Sequence, residues 1–165
     1  MKLEQKVQKA MNEQINKELF SSYLYLSMSA WCESEGYPGC AKWLGVQSTE
    51  ENEHAIKILH FIHERGSRVE LEAIEKPKAE FKNLASLFNQ VLEHEQKVSA
   101  SITSLYETAM KGNDYPSQIM LQWFITEQVE EEKNANEIVD LLKKVGDSPV
   151  SLMMFDRQLG ARTGK

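Results

Sequence analysis

Ser48-Thr49-Glu50-Glu51-Asn52-Glu53-His54 lies inside a long helical pattern. Around it, Leu44, Gln47, Glu51, His54, Ile58 and Phe61 follow one another at steps of three or four, which places them on one face of a helix. That face is otherwise apolar. A carboxylate and an imidazole one turn apart on a buried stripe are costly to desolvate unless something neutralises the carboxylate. In the core of a helical bundle the usual partner of a Glu-x-x-His pair is a metal ion. The alternative that this stretch alone leaves open is a solvated Glu51 beside an ordinary core histidine.

The same periodicity extends outward in both directions. A first helix is predicted from about Leu3 to Ser34, ending at Glu35-Gly36-Tyr37-Pro38, with Gly36 as C-cap and the proline opening the next helix. The second is predicted from Gly39 to Arg65 and is closed by Gly66. Residues 67–82 break the pattern; Arg68-Val69-Glu70-Leu71 is their most strand-like piece, and Pro77 interrupts them. A third helix begins after Asn83, a good N-cap, and runs to Lys111. Gly112-Asn113-Asp114-Tyr115-Pro116 turns the chain into a fourth, which reaches Val145 and stops at Gly146-Asp147-Ser148-Pro149. A short apolar helix, Val150 to Leu159, and a polar tail follow.

Helices of about 30 residues are far longer than the globular mean and would each span about 45 Å. Two short turns make two antiparallel hairpins, and the long segment between them can cross the bundle from end to end. The fold class is therefore all-α: one domain over residues 1–165, a four-helix bundle with one long crossover and a short fifth helix.

The buried stripes then line up. The first helix reads Met11, Ile15, Glu18, Ser22, Tyr25; the third reads Leu84, Phe88, Val91, Glu95, Val98, Ile102, Leu105; the fourth reads Met120, Phe124, Glu127, Glu131, Asn134, Ile138, Leu141. Every long helix carries a glutamate near its middle on the apolar face, and in an antiparallel bundle the middles meet at one height. Glu18, Glu51, Glu95 and Glu131 would bring four negative charges together and would otherwise take up protons. Two divalent cations balance that charge. Carboxylate and imidazole without thiolate suit iron or manganese, and zinc would also bind.

Composition excludes other classes. A net charge of −6 offers no basic footprint for nucleic acid. No apolar run is long enough to span a membrane, and the first residues lack the apolar core of a signal peptide. Cys32 and Cys40 read as core residues or as a pair, and two thiols make no disulfide framework. These features predict a reduced, cytoplasmic protein.

Four stretches in order carry a family resemblance: Asn16-Lys17-Glu18-Leu19-Phe20-Ser21-Ser22-Tyr23-Leu24-Tyr25, Glu50-Glu51-Asn52-Glu53-His54, His94-Glu95-Gln96, and Trp123-Phe124-Ile125-Thr126-Glu127-Gln128-Val129-Glu130-Glu131-Glu132. Over essentially its whole length the chain resembles the ferritin family, most closely the non-haem ferritins of bacteria and archaea. The resemblance implies an iron-storage protein with a ferroxidase centre, in which Fe(II) is oxidised by dioxygen or hydrogen peroxide. Glu18, Glu51 and His54 would hold a first iron; Glu51 would bridge to a second, completed by Glu95 and Glu131. Gln128 matches the family glutamine beside the centre, as a weak ligand or a hydrogen-bond donor. Tyr25 matches a tyrosine able to supply an electron, or is a core tyrosine with a bonded hydroxyl. Trp123 reads as core.

The resemblance further implies a homo-oligomeric shell of twenty-four subunits that encloses the ferric mineral, with the short last helix at four-fold axes. The family's three-fold pores fall near the start of the fourth helix, where the matching positions here are Gln118 and Leu121, neither acidic. The family also implies a third iron site from Glu50, Glu127, Glu130 and the shared Glu131; the plain alternative is a solvated acidic run over residues 130–132. Bacterioferritins place a haem-ligating methionine where this chain has Asn52, so no haem is expected. They and the rubrerythrins carry a second Glu-x-x-His on the last long helix, where Glu131 is followed here by Asn134. The full intrachain ligand set also sets the chain apart from mini-ferritins, whose site lies between subunits. Two other functions fit the same fold: a di-iron peroxidase that stores nothing, and a non-catalytic shell subunit, although the latter type loses the glutamates kept here.

Overall fold

Each long helix starts and stops where the local chemistry dictates. A computed structural model describes residues 2–164 and contains α1 (Gln5–Ser34), α2 (Pro38–Glu64), α3 (Leu84–Lys111), α4 (Tyr115–Val145) and α5 (Pro149–Leu159). Gly36 and Gly66 follow the ends of α1 and α2 with φ of 79° and 64°, a left-handed conformation that glycine adopts without a side-chain clash. Asn83 accepts a hydrogen bond from the backbone N–H of Ser86 and caps α3. Asp114 caps α4 in the same way, through Ser117, and is also gripped by Arg65 at the far end of α2, at 2.8 and 3.1 Å.

Among the described residues there is no strand, so the strand-like reading of Arg68–Leu71 is corrected. A strand needs a partner for its backbone groups, and here side chains of α1 serve instead. Gln8 donates to the carbonyl of Arg68, Asn12 accepts from the N–H of Glu70, Asn16 donates to the carbonyl of Ala73, and Ser27 donates to that of Lys78. The crossover is thereby pinned along the outside of α1 for most of its length. It delivers α3 parallel to α2.

The interior divides into two apolar layers. One joins Leu24 to Cys32 of α1, Cys40 to Leu44 of α2, Leu84 to Val91 of α3, Ala135 to Leu142 of α4, and Phe155 and Leu159 of α5. The other joins Val7 to Ile15, Ala55 to Ile62, Val98 to Ala109, and Leu121 with Phe124. In each long helix the glutamate falls in the gap between the two layers. Cys32 and Cys40 are free thiols in the first layer, and burial pushes Cys32 up to about 12 and Cys40 higher still, so neither is a nucleophile.

The α3 stripe is buried at every predicted position. Three stripes need adjustment. Ser22 of α1 is half-buried and Ser21 is buried in its place. In α2 Phe61 is half-buried and Ile62 faces in. In α4 the buried row is Leu121, Phe124, Gln128, Glu131, Ala135, Ile138, Leu142, whereas Met120, Glu127, Asn134 and Leu141 sit at the rim. Phe124, Glu131 and Ile138 are common to both readings, and periodicity alone does not say to which side of that line the helix leans. Leu121 is fully buried in the lower layer, so its side chain cannot line a pore.

The fifth helix is fastened by its own contacts. Asp156 accepts from the backbone N–H groups of Gly39 and Cys40 at 3.0 and 2.7 Å, capping the positive end of α2 from another element. The approach is so close that a Cβ on Gly39 would lie 1.8 Å from the Asp156 carbonyl oxygen. Lys42 then donates to the carbonyl of Gly160 at 2.9 Å, which directs the tail back along α2.

Candidate metal centre

Glu18, Glu51, Glu95 and Glu131 are all buried, the most open of them 2 % exposed. Glu18, Glu51 and His54 place one ligand atom each within 4.8 Å of one another. His54 Nδ1 lies 3.4 Å from Glu51 Oε2. Glu131 is tied to this group by Gln47, whose amide nitrogen donates to Glu51 and to Glu131, both at 2.9 Å. Glu95 is held by the hydroxyl of Tyr25 at one oxygen and by Gln128 Nε2 at the other, the latter at 3.1 Å. Gln14 donates to Glu18 at 2.7 Å.

Both orienting glutamines are themselves oriented from outside. The hydroxyl of Ser101 donates to Gln14 Oε1 at 2.6 Å and accepts from Lys17 at 2.6 Å. Arg162 donates to Gln47 Oε1 at 2.9 Å. With each amide oxygen engaged by a donor, the amide nitrogen must face the carboxylates. Gln14 and Gln47 stand four residues before Glu18 and Glu51, the spacing at which side chains on a helix meet.

Burial and the crowding of carboxylates set the electrostatics of this layer. Burial, with Glu51 alongside, holds the carboxyl groups of Glu18 and Glu95 well above the ordinary carboxylate range. For Glu51 burial acts in the same direction but is outweighed by the bonds from His54 and Gln47, and its pKa is lowered. His54 is the complement: burial opposes its charging, yet contact with Glu51 raises it. Burial and the neighbouring Glu95 raise Tyr25. Glu18 Oε2 is buried and finds no hydrogen-bond donor, and Glu51 Oε2 has only the His54 ring nitrogen at 3.4 Å, in a layer where unsatisfied oxygens are unfavourable. Oxygen and imidazole donors with no sulfur fit iron, manganese or zinc.

The ferritin family profile, described as a ferritin-like domain, matches residues 8–145. The chain belongs to the ferritin family. It is 39% identical over 158 residues to a probable bacterial non-heme ferritin-like protein of Haemophilus influenzae, covering 96% of each chain. It is 38% identical to a bacterial non-heme ferritin of Campylobacter jejuni, covering 95% of this chain and 94% of that one. Among solved structures, an open pore ferritin from the archaeon Archaeoglobus fulgidus superposes with a TM-score of 0.96 at 41% identity, covering 98% and 99% of the two chains. A form of the Archaeoglobus fulgidus ferritin engineered to be closed gives 0.97 at 40% identity, covering 99% of each.

Within this ferritin, the sequence-predicted residues fall into three groups. Glu18, Glu51 and His54 form the tight cluster, which Glu131 joins through Gln47; Glu95, Gln128 and Tyr25 are hydrogen-bonded to one another beside it. Glu50 and Glu127 line an open groove of about 320 Å³ beside His54, whereas Glu130 is exposed on α4. Trp123 is not core: it is 40% exposed, with the His54 ring edge-on at 5.3 Å and Lys57 over its face at 4.1 Å. It roofs the histidine. The other half of that roof is Phe124, 5.9 Å from the imidazole.

Periodicity placed Gln47 on the buried stripe without giving it a role, and Gln14 is legible only from its spacing to Glu18. Arg162 carries no local signal at all, being one cation in a polar tail.

Proposed function

We propose that this chain stores iron by oxidising Fe(II) at a two-iron centre formed by Glu18, Glu51, His54, Glu95 and Glu131, and by retaining the ferric product in a hollow homo-oligomeric shell. The observation that carries the reading is the burial of one carboxylate from each of four helices at a single level, with an imidazole beside them and a Glu18 oxygen that lacks a donor. Such a layer destabilises the metal-free fold and is relieved by divalent cations.

Iron is the substrate. Two ferrous ions give up one electron each, and dioxygen takes both electrons and two protons to leave as hydrogen peroxide. With peroxide as oxidant the same two electrons yield water. The residues hold the pair close, and the four carboxylates favour the higher charge of the ferric state. The Tyr25 hydroxyl bonded to Glu95 is placed to supply or relay an electron. Gln128 steadies Glu95 as a donor. Asn52 is exposed and offers no thioether, so the chemistry proceeds without haem.

The shell reading is supported by apolar side chains that the single chain leaves in the open. Tyr23 and Leu26 are 48% and 53% exposed on α1, and Met153 and Met154 are 71% and 70% exposed on α5. Surfaces of this kind mark contacts between subunits. The full shell is proposed to contain twenty-four copies. An open pore ferritin and an engineered closed form among the structural neighbours make pore width a property to measure. Neither Gln118 nor Leu121 supplies an acidic entrance, so iron enters by another set of residues.

A third iron is proposed at Glu50, Glu127, Glu130 and the shared Glu131, on the groove beside His54. Two of its ligands, Glu127 and Glu130, are more open to water than those of the pair, so it fills last. The test is ferrous oxidation followed by ferric absorbance, with particle size and retained iron measured alongside. Glu51→Ala is expected to lose rapid oxidation and still assemble; failure to assemble would make the glutamate layer a structural device instead. Particles that oxidise Fe(II) but retain none point to a peroxidase.

A further inference from the structure

Arg162 reaches the centre from the chain's tail. Its guanidinium packs over the Trp43 ring, 4.4 Å from the centroid. Nη1 donates to Gln47 Oε1 at 2.9 Å and to the Trp43 carbonyl at 3.5 Å, and Nη2 donates to Glu50 Oε2 at 2.5 Å. Trp43, Gln47 and Glu50 are spaced to share one face of α2, and this one side chain spans all three. The ion pair is sheltered, with the arginine side chain 16% and the Glu50 side chain 7% exposed. The tail arrives there because α5 is fixed by Asp156 and Gly39, and because Lys42 holds the carbonyl of Gly160.

We propose that Arg162 is a resident counter-cation of the third iron site, which a metal ion must displace from Glu50 in order to bind. The inference rests on the third-site reading above. A guanidinium and a divalent cation drawn to the same Glu50 carboxylate compete for its charge, and their mutual repulsion is strong where little water screens it. When the metal arrives, Arg162 withdraws from Glu50. The last residues, from 161 onward, then lose their innermost anchor while Gly160 stays attached to Lys42.

The displacement also touches the paired site. Arg162 sets the orientation of Gln47, and Gln47 occupies one oxygen each of Glu51 and Glu131. Release of the arginine frees that amide to turn, and with it the Glu131 oxygen that the third metal shares with the pair. Tail, third metal and the second-iron carboxylate are thus linked through one amide. A lysine would not substitute, since a single ammonium group cannot present the planar fork that holds Gln47 and Glu50 together.

The test is anaerobic Fe(II) titration calorimetry of the assembled protein, wild type against R162Q and R162K. Wild type is expected to bind three irons per subunit, the third most weakly. In R162Q the third affinity should rise about tenfold relative to the first two, the value of one sheltered ion pair removed from competition, with a smaller rise in R162K. An unchanged third affinity in R162Q overturns the displacement and leaves the site standing. Binding of only two irons by wild type removes the third site, and the displacement with it. Hydrogen exchange on wild-type protein needs no variant: amides of residues 161–164 should exchange faster once the third iron is bound. Equal protection before and after loading overturns the proposal even if the variants do not assemble.

Discussion

Glu18→Gln should stabilise the metal-free protein while abolishing rapid iron oxidation. The substitution keeps the shape of a side chain that is 1% exposed. The new carboxamide oxygen can go on accepting from Gln14, and its N–H2 group falls where Glu18 Oε2 has no donor, close to Glu51. The gain comes from proton linkage. Burial raises the folded pKa of Glu18 well above the ordinary carboxylate value of 4.5, so between 4.5 and that raised value the native state binds a proton that the unfolded chain has lost. Stability therefore falls as pH rises through this window. At pH 7 the window is at most 2.5 units wide, and at ~1.36 kcal/mol per unit the penalty has a ceiling of about 3.4 kcal/mol. A glutamine carries no such penalty. Denaturant unfolding of metal-free wild type and variant, at matched protein concentration so that assembly contributes equally, should show an advantage for the variant on the order of 1–3 kcal/mol at pH 7. The advantage should shrink toward zero as pH approaches 4.5. Destabilisation at pH 7, or a difference that does not vary with pH, would refute the view that the carboxylate layer is strained without metal.

Fe(II) binding should release protons, because Glu18 and Glu95 are held above the ordinary carboxylate range and must ionise to bind; affinity should accordingly weaken as pH falls, which anaerobic titrations in buffers of different ionisation enthalpy will show. Tyr25→Phe removes the donor to a buried Glu95 oxygen, so it should slow oxidation and lower stability by about 1–3 kcal/mol, read by stopped-flow absorbance and thermal unfolding. Gly39→Ala should undock α5, since the added methyl would overlap the Asp156 backbone; a loss of roughly 2 kcal/mol or more and smaller assemblies on sizing columns are expected.

The architecture and the buried layer of glutamates are legible in the sequence because both rest on local periodicity. Polar breaks at Gly36, Gly66, Gly112 and Gly146 delimit four long helices, and a glutamate near the middle of each apolar stripe marks one level in the bundle. Glu18, Glu51, His54, Glu95 and Glu131 were readable for that reason, and the motifs around them named the family. What periodicity leaves open is rotation and anything held by contacts distant along the chain. Trp123 fits an apolar run equally well as core or as roof, and only the lean of α4 against its neighbours puts it half in water beside His54. The crossover looks like a strand until α1 offers side chains for its backbone groups in place of a partner strand. Arg162 depends on the longest connection of all: Asp156 must cap α2 and Gly39 must admit α5 before the tail can lay its guanidinium across Gln47 and Glu50. A sequence reports the spacing of neighbours on one helix, whereas charges that meet across more than a hundred residues are brought together only by the packed fold.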